Sequence, residues 1–474
     1  MTTHTTLTID VGTTAIKLFL YQGAQLIHRQ EHRIKTYTEA NGKVYQKPEE
    51  LLETLHTVLL ALNEETKRTI DFIALSTAMH SLLPVFDQGY GDILIWSDQQ
   101  AASTIDTFRK TAFSSLVYEK TGTPIHYMSP FSKLLWIKET HPFPLPVKQW
   151  IGLKELIADY FTGEYILDYS TASATGLFNS STLDWDDEIL AFLAVNRTQL
   201  AQLVDTDAVL PIEEHRKQAL GLNSHTQLLI GASDGCLAAL AGYLNTGLHT
   251  SVTLGTSGAV RKLSTKRELD PNGKTFCYYL AENLWVCGGP TNNGGAVLEW
   301  VSNLFFDDST TLFDQLGNVL SSTSPGANGL QFLPFINGER APMWNPFVKG
   351  SYQGITMTHR RSEFIRAAVE GMILNLKMIM ETVEISDEEV SINGGVFRHT
   401  ELTQLTANIL GKDCLLSAHN EPGFGLLGLQ ETDLKTSSTP SFKLIKKDNE
   451  QVQLYQSVYQ HFIHSVITYE NRHL

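Results

Sequence analysis

The amino-acid sequence predicts an α/β protein of two related domains, each built on a mixed sheet, with a cleft between them. Three observations predict it. A short motif recurs: Asp10-Val-Gly-Thr-Thr-Ala-Ile-Lys17 and Thr253-Leu-Gly-Thr-Ser-Gly-Ala-Val260 align Gly12 with Gly255, Thr13 with Thr256 and Thr14 with Ser257. Both copies are flanked by alternating apolar residues, Leu7, Ile9 and Val11 before the first and Val252 and Leu254 before the second, as in a β-hairpin. Helical patterns are interspersed with these strands, and 474 residues exceed what one core ordinarily organises.

Taken in order, the first hairpin is followed by a third strand at Leu26–His32, a helix at Pro48–Asn63 and a strand at Phe72–Ser76. Near the midpoint, Gln227–Ile230 reads as a strand, Gly231–Gly235 as a turn and Cys236–Leu244 as a helix of small residues. The division falls between Leu244 and Thr250, giving domains 1–245 and 246–474. In the second domain Phe364, Ala368, Met372, Leu376 and Met380 repeat along one face, which predicts a core helix over Glu363–Glu384. The charged run Lys443 to Glu450 reads as solvated surface.

The chain carries 36 Lys and Arg against 51 Asp and Glu, a net charge of -15, which argues against a nucleic-acid or anionic-membrane partner. An anionic ligand must then be held by local groups. The N-terminal stretch lacks a basic and an apolar region, so a cytoplasmic location is expected, and base rates for such enzymes favour a homodimer. The cysteines 236, 277, 287 and 414 are spread along the chain without a CxxC pair and read as reduced thiols.

Four glycine motifs compete for the chemistry. Gly273-Lys274-Thr275 lacks the upstream glycine of a phosphate loop, since Glu268 stands there. Gly423-Phe-Gly-Leu-Leu-Gly428 has the GxGxxG form, but without an acidic residue at the next strand end it reads as close helix packing that approaches a nucleotide base. Gly231-Ala-Ser233-Asp-Gly235 has the GxSxG form of a serine hydrolase, with His249, His359, His399 and His419 available downstream. Asp234 weighs against that reading, because a carboxylate beside Ser233 opposes an oxyanion. The duplicated Gly-Thr-Thr/Ser turns expose backbone amides suited to phosphate oxygens. One turn from each half facing a shared cleft would hold a triphosphate, and Asp10 adds a carboxylate for Mg²⁺. Lys17 reaches either a phosphate or solvent. Asp234, opening a helix, is then the base for a phosphoryl acceptor or a helix cap, two roles that are compatible.

These residues resemble the FGGY carbohydrate kinases, a family with the actin-like (ribonuclease H-like) ATPase fold. The resemblance spans nearly the whole chain and includes Ala78-Met-His-Ser81, Trp96-Ser-Asp98, Ser132-Lys-Leu-Leu-Trp136, Gly338-Glu-Arg-Ala-Pro342 and Asn393-Gly-Gly395. Within that family, Thr121–His126, Ile151–Glu155, Asp168–Gly176 and Gly288–Gly295 are most similar to gluconate kinases. The resemblance implies an ATP- and Mg²⁺-dependent kinase phosphorylating a sugar acid, D-gluconate first, with a neutral ketose or polyol as the alternative. A non-catalytic actin-like ATP-binding or filament protein is the alternative of another class. By position it implies Asp234 as base and Asp10 as the metal-linked carboxylate. Gly12, Thr13, Thr14 and Lys17 fall on the phosphates from one side and Gly255 and Thr256 from the other. Gly295, Glu299, Gly395 and His399 fall on the nucleotide, and Met79, His80 and Asp234 on the sugar. An anionic acceptor calls for a cation, with His80, Lys133, Lys154 and Arg340 as the candidates.

Overall fold

A computed structural model describes residues 4–143, 145–417, 421–430 and 442–473. Two large sheets carry the fold. The first consists of β1 (Thr5–Val11), β2 (Ala15–Gln22), β3 (Gln25–Arg33), β4 (Phe72–Thr77), β5 (Val209–Pro211) and β6 (Gln227–Ser233), in the order β5-β6-β4-β1-β2-β3. The second consists of β7 (Thr250–Leu254), β8 (Gly258–Ser264), β9 (Phe276–Ala281), β10 (Leu284–Thr291), β11 (Glu389–Asn393), β12 (Asp413–Ser417) and β13 (Phe442–Ile445), in the order β9-β10-β8-β7-β11-β12-β13.

The central strands of the two sheets coincide. In β3-β2-β1-β4-β6 the first three strands are antiparallel neighbours and the last three run parallel. In β10-β8-β7-β11-β12 the order and every direction are the same. The short sequence repeat is thus the visible end of a repeated topology, with each Gly-Thr turn closing its first hairpin.

The longer helices include α1 (Pro48–Leu60), α2 (Pro130–Thr140), α3 (Leu153–Thr162), α4 (Asp234–Thr246), α5 (Gly295–Phe306), α6 (Arg361–Thr382), α7 (Thr400–Leu410), α8 (Pro422–Gln430) and α9 (Asn449–His473). Helix α6 begins two residues before the expected start because Glu363 Oε2 accepts the Arg360 amide at 3.0 Å, capping the helix from inside its first turn. Its face of Ala368, Met372 and Leu376 is fully buried.

Helices α4 and α8 follow equivalent strands, β6 and β12, and pack against each other. Added Cβ atoms on Gly425 and Gly428 would lie 2.3 Å from Leu237 O and 2.7 Å from Leu244 Cδ1, and one on Gly423 would lie 2.5 Å from Thr8 Oγ1. The GxGxxG stretch therefore seats a helix of the second half on a helix and strand of the first, consistent with its packing reading.

One expected boundary needs correction, and two other readings gain detail. The strand expected to stop at Ile230 continues to Ser233, because Gly231 forms a bulge with φ +69° and the ladder resumes at Ala232. Cys277 and Cys287, distant in sequence, are cross-strand partners with their sulfurs 3.3 Å apart, brought together by the β9–β10 hairpin, and both are free thiols. The charged run from Lys443 contains part of edge strand β13, whose lysine at 443 points outward, a protective choice at a sheet edge.

Gly231→Ala should destabilise the fold by at least about 2 kcal/mol, since a Cβ would sit 2.0 Å from Leu75 O in a left-handed backbone. Gly247→Ala, with φ +74° and open space around it, should cost only about 1 kcal/mol. Urea unfolding of both variants checks the difference.

Candidate active site

Strand β1 is buried on both faces, so Asp10 near its end is only 4% exposed. Ser76 on neighbouring β4 donates to Asp10 Oδ1 at 2.8 Å, and Lys17, opposite Asp10 in the hairpin register, places Nζ 3.7 Å from Oδ2. Burial raises the Asp10 carboxyl above its ordinary range, and Lys17 and the Ser76 hydrogen bond oppose the rise.

Asp234 is the first residue of α4, directly after β6, and its Oδ1 accepts the Gly235 amide at 2.7 Å. Burial, then repulsion from Asp10, pushes its carboxyl up to about 6, while the Gly235 amide, Arg261 and Lys17 pull the other way. Asp10, Thr13, Thr14 and Ser257 line one cavity of about 380 Å³ together with Asp234. Gly12, Lys17, Met79 and His80 line it too. Both halves of the repeat therefore face the same cleft.

A second cavity of about 550 Å³ shares Asp10, Lys17 and Thr253 with the first and extends over Gly394 and Gly395. The turns themselves are tied down. Gly12 and Gly255 donate their amides to Ala15 O at 3.0 Å and Ser257 O at 2.9 Å, so the amides of Thr13, Thr14, Thr256 and Ser257 are those a phosphate would meet. Gly255 O in turn accepts the Gly295 amide at 2.6 Å, and Thr256 O that of Ala296 at 3.0 Å, docking the start of α5 on the second turn. Gly255, Thr256, Gly295, Glu299 and His399 are not among the residues lining either cavity. Glu299 is exposed on α5, and His399 stacks on Phe313 with ring centroids 4.3 Å apart.

His80 adopts a left-handed backbone with φ +68°. Its Nδ1 lies 2.8 Å from Ala174 O, so Nδ1 carries the proton and donates, which leaves Nε2 as an acceptor. Burial, then Lys133, pushes the imidazole down to about 3, so it is neutral. Lys133 donates to His80 O at 2.8 Å and to Met128 O. Lys154 donates to Leu75 O, Ile230 O and Ala232 O at 2.8–3.2 Å and pairs with Asp168 at 3.3 Å, both side chains fully buried. Both lysines brace the backbone beneath the site: Lys154 has more acceptors than N–H donors, Lys133 has two acceptors for three donors, and neither lines either cavity.

Arg340 remains of the proposed cations. Its Nη2 donates to Thr291 O at 2.9 Å, its guanidinium sits over Trp96 at 5.1 Å, and its buried Nε has no partner among the described residues. Arg261 was not singled out in the sequence. Its signal was a charged residue at an inward position of β8, between the apolar residues Val260 and Leu263, and its role emerges only when β8 faces α4.

The hydrolase reading fails here. Ser233 is fully buried, its hydroxyl 3.0 Å from that of Ser170, and no histidine among the described residues bonds it. His419 lies outside the described residues.

The models of the FGGY family of carbohydrate kinases match the chain, the N-terminal domain over residues 5–241 and the C-terminal domain over residues 250–430. A gluconokinase of Bacillus subtilis (strain 168) is 34% identical over 445 residues, 90% of this chain and 87% of the relative. A xylulose kinase of the same organism is 28% identical, covering 88% and 85%. The crystal structure of gluconate kinase from Lactobacillus acidophilus superposes with a TM-score of 0.91 at 28% identity, covering 98% and 97% of the two chains. Ligand-bound xylulose kinase from the same species gives 0.90 at 28% identity, covering 97% of each.

Lys154→Met should cost about 3–5 kcal/mol in urea unfolding, because it leaves Asp168 and three carbonyl groups buried without their partner.

Proposed function

The chain belongs to the FGGY family of carbohydrate kinases, and from that premise we propose that it transfers the γ-phosphoryl group of ATP to the terminal C6 hydroxyl of D-gluconate, giving ADP and 6-phospho-D-gluconate. One observation carries this reading: Asp234, Asp10 and a glycine–hydroxyl turn from each half line a single cavity. Gluconate is favoured over xylulose, ribulose or glycerol by the 34% identity to the gluconokinase against 28% to the xylulose kinase. The cations at the sugar end of the cleft, unnecessary for a neutral acceptor, also support it.

In this reading residues 1–245 supply the sugar site, the first turn and the base, and residues 246–474 the second turn and the adenosine site. The sugar acid lies against Met79 and His80, with the neutral His80 Nε2 accepting from a hydroxyl. Asp234 takes the C6 hydroxyl proton as the oxygen bonds to γ-phosphorus and the bond to the β,γ-bridging oxygen breaks. Thr13, Thr14 and Lys17 hold the phosphates from the first half, and Gly255, Thr256 and Ser257 from the second. Gly295, Glu299, Gly395 and His399 serve the nucleotide side. Closure of the halves excludes water and suppresses hydrolysis of ATP.

Mg²⁺ fits the donors present. Asp10 is a buried carboxylate near a second one, and no cluster of three or more acidic, His or Cys residues forms a cage among the described residues. Mg²⁺ characteristically takes one or two carboxylates and completes its shell with phosphate oxygens and water. Asp10 would hold it, and when bound it neutralises charge on the triphosphate.

Asp234→Ala should lower kcat with gluconate by roughly 10²–10⁴-fold while ATP still binds, as steady-state kinetics and calorimetry would show. Normal turnover by this variant would reject Asp234 as the base. Because the base works ionised and its carboxyl is pushed up to about 6, kcat/KM should be level above that pH and fall tenfold per unit below it. An ADP-release assay across gluconate, xylulose, ribulose, glycerol and no sugar checks the substrate. Sugar-independent hydrolysis would instead favour an actin-like motor or scaffold role.

A further inference from the structure

We infer that Arg261 is the residue that reads the carboxylate of the acceptor, an inference that rests on the gluconate reading above. Arg261 projects from β8 of the second half into the cavity that holds Asp234 and His80. Among the described residues its guanidinium makes one hydrogen bond, Nη1 to Thr253 Oγ1 at 3.1 Å, and no ion pair. Arg261 is half-buried and faces Asp234 without forming an ion pair with it, so its fork has room for a further anion.

The cavity also carries Thr13, Thr14, Lys17 and Ser257 of the phosphate turns, and it is the contacts of Arg261 within it that set this residue toward the acceptor. An added Cβ on Gly235 would lie 2.7 Å from Met79 Cε and 3.5 and 3.6 Å from Nη2 and Nε of Arg261, so the guanidinium, the start of α4 and the sugar-side methionine converge. Arg261 lines the cavity with His80 and not the adjoining one, whose cations are Lys17, Arg29 and Arg398. Arg340 and Tyr278 line the same cavity, and among the described residues the Arg340 Nε and the buried Tyr278 hydroxyl have no hydrogen-bond partner. Arg261 opposes the charge of Arg340, which burial has already pushed down to about 10. A carboxylate joining the two guanidiniums relieves that repulsion. The planar Arg261 fork also matches two carboxylate oxygens, which a lysine does not.

The test compares gluconate with D-glucitol, the same carbon chain with a hydroxymethyl group in place of the carboxylate, in wild type, Arg261→Gln and Arg261→Lys. The ratio of kcat/KM for gluconate to that for glucitol should fall roughly 10- to 100-fold in Arg261→Gln and less in Arg261→Lys. Calorimetric binding of gluconate without nucleotide should weaken by a similar factor, with ADP binding retained as the measure of an intact fold. A wild type that takes gluconate while Arg261→Gln keeps the wild-type ratio overturns this inference alone. Equal loss with both acceptors assigns Arg261 to the phosphates and overturns it as well. A wild type indifferent to gluconate overturns the substrate reading, and this inference with it.

Discussion

The site is organised around two carboxylates that repel each other in one cavity. Asp10 ends near the tip of β1 and Asp234 opens α4 after β6, with β4 between those strands. Their mutual repulsion adds to burial in raising Asp234, and the structure offsets it with Ser76 and Lys17 on one carboxylate and the Gly235 amide and Arg261 on the other. The result is a carboxyl poised near neutrality. A base with such a value can accept a proton from an alcohol without being protonated at rest.

Holding this arrangement requires the two halves to approach closely, and small residues make that possible. Gly423, Gly425 and Gly428 let α8 of the second half lie directly on Thr8, Leu237 and Leu244 of the first. Beneath the first half, Lys154 ties the carbonyl groups of Leu75, Ile230 and Ala232 to Asp168. Those carbonyls belong to β4 and β6, the strands leading to Met79 and His80 and to Asp234. The buried lysine is thus a brace whose charge is consumed internally.

The same distinction sorts the remaining cations. Lys133 and Lys154 are turned to backbone carbonyls away from the cavity, whereas Arg261 and Arg340 line it and retain donor capacity there. In an acidic chain of net charge -15, two underused guanidiniums in one cleft form a local exception to the overall field. Burial makes the exception strong at short range, since neither salt nor water screens it well.

The sequence by itself determined the α/β class, the two hairpins and their Gly-Thr turns and the core helix, and it singled out Asp10 and Asp234, which the structure brings to one cavity. Each of these is encoded locally, in a period of two or 3.6 residues or in a turn that few residue types can make. It also marked most first-half site residues, because Gly12 through Lys17 and Met79 through His80 are contiguous with strands that deliver them together. Only the tertiary structure decided which cations were free, that Ser233 was sealed, that Cys277 meets Cys287, and that Arg261 faces Asp234. Those outcomes depend on which groups arrive opposite one another when separate strands and halves pack, and a side chain's available charge is fixed by those distant partners and not by its neighbours in the chain.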